Sequence, residues 1–115
     1  MYTQLHSENA DFYTSDYVLD ETFTLFFKRL HFEAAKSSME LLNQAISTGQ
    51  LHLISITTDR FRQTQTLRLK YQDKPNISFT DFSSMVVMVE LDIETILTAD
   101  RHFTHVGMGF QTIPE

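Results

Sequence analysis

The chain has no cysteine and no tryptophan, and only three glycines and two prolines among its 115 residues. The lack of thiols excludes a disulfide framework and any thiolate zinc site. So few glycines and prolines leave little room for flexible linkers, and the length with 42% hydrophobic residues fits one domain spanning 1–115. No apolar run opens the chain or is long enough to cross a bilayer, which argues against a signal peptide or membrane span. The expectation is a soluble, cytoplasmic protein with no membrane partner. Positive charge is also scarce, nine Lys and Arg against fifteen Asp and Glu, for a formal charge of −6. That balance argues against gripping nucleic acid with a basic face, since such binding rests on cations displacing counterions from phosphates. A divalent cation held by several carboxylates would reverse the local field and bind phosphate oxygens itself.

The clearest element is the stretch Ser15 to Leu30. Ser15 can cap a helix that starts at Asp16, where an added negative charge suits the positive end of the dipole, and Lys28 and Arg29 suit the other end. Leu19, Phe23, Phe26 and Leu30 form an apolar stripe widened by Val18, Thr22 and Leu25. Asp20 and Glu21 fall on opposite shoulders of that stripe, and periodicity alone does not choose between them as a ligand.

Ahead of this helix, Asp11 to Thr14 is a β-prone run, while Met1 to Ala10 has no clear period and suggests a helix tail or frayed end. Phe32 to Ser47 has the composition and apolar face of a second helix, with Gly49 where a left-handed C-terminal cap belongs. Leu51 to Ile56 suggests a buried strand, and Thr58 to about Tyr71 a third helix, exposed because Thr64, Gln65 and Arg68 interrupt its apolar face. Pro75 in the turn Asp73 to Asn76 ends it. From Thr80 the chain is almost wholly apolar through Met85, Val86, Val87, Met88, Val89 and Leu91, predicting a central helix buried on most sides. Thr95 to Ala99 and Phe110 to Ile113 follow as short strands. This order implies an α/β layered fold with a mainly parallel sheet, whose ligands gather at the C-terminal strand ends.

Three stretches, YTSDYVLDETFTLF, ISFTDFSSM and ILTADRHF, together resemble the acidic motifs of PIN-domain ribonucleases, specifically VapC-type toxins, over roughly Phe12 to Pro114. The resemblance implies a PIN-like three-layer fold with helices flanking the sheet. It selects Glu21 over Asp20, then Asp81 and Asp100, as the catalytic, metal-binding carboxylates for Mg²⁺ or Mn²⁺, with Thr80, Ser84 and Thr98 as polar neighbours. It also implies an RNA substrate, a cognate antitoxin and a homodimer. The family's first motif, a central strand ending in Asp, has no counterpart in this chain, which is expected to be an N-terminally shortened PIN-like domain lacking that central strand.

Clustered carboxylates suit this chemistry because hard divalent cations prefer oxygen donors, and water bound to them becomes a nucleophile near neutral pH. Each candidate has a plainer role available: Glu21 on a solvated helix shoulder, Asp81 in a first helical turn, Asp100 at the start of a turn. His102 and His105 lack a continuing ligand pattern, and Lys28, Arg29, Arg60, Arg62, Arg68 and Lys70 fit a solvated surface better than an RNA path. The competing class is a catalytically inactive PIN-like interaction module that binds an antitoxin-like partner or itself, favoured by the surplus of aromatic surface at Phe23, Phe26 and Phe27. A receiver-like phosphoacceptor domain fits less well, for want of a lysine late in the chain.

Overall fold

A computed structural model describes residues 2–6, 9–97 and 107–113. The elements run β1 (Tyr2–His6), β2 (Asn9–Ser15), α1 (Asp16–Arg29), α2 (Phe32–Ser47), β3 (Leu51–Ile54), α3 (Thr58–Lys70), α4 (Phe79–Glu90), β4 (Thr95–Leu97) and β5 (Gln111–Ile113). The five strands form one sheet in the order β3-β2-β1-β4-β5. β2 is parallel to β3 and β4 to β5, while β1 is antiparallel to both of its neighbours. Four strands therefore share one direction, and the central strand opposes them.

That central strand is where structure and sequence diverge most. The aperiodic start of the chain folds as β1, with Tyr2 opposite Tyr13 on one side and Ile96 on the other. The position between β2 and β4 is thus filled by a strand of reversed polarity rather than by the Asp-bearing strand of the resemblance. Neither a helix tail nor a frayed end is present at Tyr2–His6. Local periodicity missed it because the partners of β1 lie on other strands, and pairing with them supplies the order that its own pattern lacks.

The helices form where expected, with Ser15 capping α1, while the caps of α3 and α4 are Thr57 and Ser78, one and two residues before the expected starts at Thr58 and Thr80. The Ser15 hydroxyl accepts from the Val18 amide at 3.2 Å, Thr57 from Arg60 at 3.3 Å and Ser78 from Asp81 at 3.0 Å, each satisfying a donor the first turn leaves open. Helix α2 closes on Gly49 at φ 80°, with the Gln50 amide donating to the Ala45 carbonyl at 2.9 Å. The same closure ends α4 without glycine: Asp92 takes φ 56°, and the Ile93 amide donates to the Met88 carbonyl at 2.7 Å. Aspartate tolerates that left-handed geometry, and buried Ile93 supplies the apolar contact that accompanies it.

The core centres on α4, as its apolar run predicts. Phe82, Met85, Val87 and Met88 are fully buried and cluster with Ile77, Ile93 and Phe110. Tyr13 and Ile54 pack on this cluster from the sheet, while Phe12 and Leu51 face a cleft with Leu42 and Ala45 of α2. Side chains alternate across a strand, so α4 and α2 cover opposite faces and the three layers follow. Two expectations fail. β3 is an edge strand with Leu53 exposed, not a buried one. Thr64 and Arg68, read as outward interruptions of α3, turn inward: Thr64 is fully buried with its hydroxyl donating to the Arg60 carbonyl, and Arg68 donates to three carbonyls.

Candidate active site at the strand ends

The four like-directed strands end together at Ser15, Ile54, Leu97 and Ile113, and β1 presents Tyr2 to that same edge. No carboxylate lies anywhere in Tyr2–His6, so the central strand brings no acidic residue to the edge where ligands gather in such sheets. Helix α1 starts there, at Asp16, and Glu21 lies roughly 8 Å along it at 1.5 Å per residue.

Asp20 and Glu21 are both exposed, yet they differ in direction. Val18 packs against the α4 core cluster, and at about 100° per residue Glu21 lies within roughly 60° of Val18 while Asp20 lies on the far side. Glu21 therefore occupies the flank of α1 nearer to α4. Asp81 is the third residue of α4, half-buried, one turn before Ser84 and Met85, both of which are buried. The helices carrying Glu21 and Asp81 pack against each other. Asp100 and Thr98 lie outside the described residues, as do His102 and His105.

Among the described residues no three His, Cys, Asp or Glu side chains converge as a cage for a metal ion. The donor chemistry is nevertheless that of a hard cation: Glu21 and Asp81 supply carboxylate oxygens, with the Thr80 and Ser84 hydroxyls beside Asp81 in the same helix. Mg²⁺ keeps several waters and uses one or two carboxylates rather than a complete protein cage, so these residues fit it in kind. A cleft of about 460 Å³ lined by Asp11, Phe12, Leu42 and Gly49 lies at the opposite end, where β2 and β3 begin. It is remote from these carboxylates.

A second set of groups at the strand ends escaped the sequence. One oxygen of Asp16 accepts from the amides of both Tyr17 and Ile56 at 3.0 Å, joining the start of α1 to the chain leaving β3. Arg60 donates from Nη1 to the Ser55 carbonyl at 2.7 Å and from Nε to Glu90 at 2.9 Å. Asp16 is legible in the sequence as a first-turn acid, but nothing local marks a bond across forty residues.

No family model matches the chain, and no curated protein sequence matches it. Among solved structures, it is similar to Mycobacterium tuberculosis VapC20, a sarcin-ricin-loop-cleaving toxin, with 27% sequence identity and a TM-score of 0.69. The match covers 83% of this chain and 69% of that one. The α/β layers and the likeness to a solved toxin agree: the chain has a VapC-like PIN fold.

Proposed function

We propose that the chain is a metal-dependent RNA endonuclease of the VapC toxin type, with Glu21, Asp81 and Asp100 holding Mg²⁺ or Mn²⁺ for phosphodiester hydrolysis. The observation that carries this reading is the similarity to VapC20 over 83% of the chain. The acidic motifs around Glu21, Asp81 and Asp100 support it independently. When bound, the cation supplies an activated water and offsets phosphate charge. Glu21 and Asp81 orient it from two packed helices, and α4, buried around most of its circumference, keeps Asp81 from drifting. Among the described residues, β1 adds no carboxylate to this edge.

The test is a titration of Mn²⁺ against thermal stability. Saturable binding raises the midpoint, by about 2.7 kcal/mol of stabilisation at a hundredfold excess over Kd, and Asp81→Asn abolishes both that gain and RNA cleavage. A midpoint indifferent to millimolar Mn²⁺ would sink the metal reading.

A second reading has its own support. Leu25, Phe27, Leu30 and Phe32 are exposed where α1 meets α2, with the Phe27 and Phe32 rings 6.1 Å apart. A patch of that kind suits an antitoxin-like partner or a homodimer, and the fold would serve it even without catalysis. No RNA cleavage by the wild type with Mn²⁺ present, together with self-association lost in Phe32→Ser, favours this module over the nuclease.

A further inference from the structure

The two helices that carry Glu21 and Asp81 are moored to the same short piece of backbone. Beyond the end of β3 the ladder with β2 stops; the Ser55 carbonyl takes the Thr57 amide at 3.1 Å, and the remaining polar partners of Ser55 and Ile56 are side chains from other elements. The Ile56 amide donates to Asp16, the first residue of α1. The Ser55 carbonyl accepts from Arg60, whose other nitrogens hold Glu90, the last residue of α4. One bond adds to the Ser15–Ile54 pairing in tying the start of α1 to β3, and the other adds to the core packing of α4 in tying its end to the same point. An α-helix is stiff along its axis, so fixing one terminus fixes the axial position of side chains further along.

We propose that Asp16 and Arg60 are positioning residues that set the spacing between Glu21 and Asp81 through the shared Ser55–Ile56 anchor, and thereby the affinity for a divalent cation. The proposal rests on the metal reading of those two carboxylates. Asp16 acts as a hydrogen-bond acceptor, not as a ligand: its oxygen already receives two amides, one of them from another element. Arg60 acts through its planar fork, which reaches a carbonyl and a carboxylate at once, a geometry lysine does not reproduce.

Mn²⁺ dissociation constants, measured by calorimetry well below every unfolding midpoint, test the proposal on the full chain. Asp16→Ala and Arg60→Lys are expected to weaken binding by roughly threefold to tenfold, less than is typical of groups bonded directly to a metal ligand. Asp16→Asn, which keeps the accepting oxygen, binds as wild type does. Ala35→Gly, a change at a fully buried position of α2 away from the anchor, lowers the unfolding midpoint and leaves affinity unchanged, so loss of stability alone does not mimic the effect. Wild-type affinity in Asp16→Ala overturns the proposal, and equal weakening in Asp16→Asn and Asp16→Ala overturns it by making the charge the active feature. Absence of saturable Mn²⁺ binding in the wild type overturns the metal reading, and the positioning role with it.

Discussion

Helix α4 and the hairpin α1–α2 differ in what they do with apolar surface. In α3–α4 nearly every large side chain of the second helix is inside, from Phe82 to Met88. In α1–α2, by contrast, Phe32 is 64% and Leu41 67% exposed, and Phe27 and Leu25 are exposed as well. The connections differ too. The segment from Tyr71 to Ile77 is gathered by one side chain: Arg68 donates to the carbonyls of Tyr71, Lys74 and Ile77 at 2.6–2.9 Å, and its guanidinium lies 4.6 Å from the Phe82 ring centroid. The α1–α2 connection consists of Leu30 and His31 alone. Helix α4 and its Arg68-bound connection hold the fold together, while α1–α2 has apolar surface to spare, as α3 has at Leu69.

The largest effect that would break this contrast is expected at Phe82. Phe82→Ala removes a fully buried ring and the platform under Arg68, and should cost about 3–5 kcal/mol in urea unfolding. A loss below about 1 kcal/mol would mean that α4 is not the centre of the core. Next comes Arg68→Met, which keeps the stem but leaves three carbonyls without their charged donor, for about 2–3 kcal/mol. Since Phe82 and Arg68 touch, the double variant should lose less than the sum of the two. Smallest is Phe32→Ser, expected to shift stability by less than about 0.5 kcal/mol while reducing self-association in light scattering. Self-association unchanged by this substitution, together with a clear loss of stability, would place Phe32 in the protein's own core and erase its contrast with α4.

Much of this was legible in the chain because it is local. A serine before an apolar period is a cap wherever the helix lies, and Ser15 behaves accordingly. The run Met85–Met88 has no polar side to offer solvent, so its helix had to be central. The motif resemblance placed Glu21 and Asp81 on α1 and α4, and the packing of those two helices is consistent with it. Where the reading erred, the deciding contact was distant. Thr64 and Arg68 look like interruptions of an apolar face until the backbone of another segment supplies their partners. β3 has the composition of a buried strand, yet it lies at the end of the sheet, a fact set by the order of all five strands.

By itself, the sequence determined the helices, their ends, the identity of the core helix and the acidic residues available for a site, since each depends on neighbours within a few residues. Tertiary structure alone decided the polarity of β1, the edge position of β3 and the mooring of Asp16 and Arg60 at Ser55 and Ile56. Backbone groups must find partners wherever the chain brings them, and no local pattern records which remote residue will provide one.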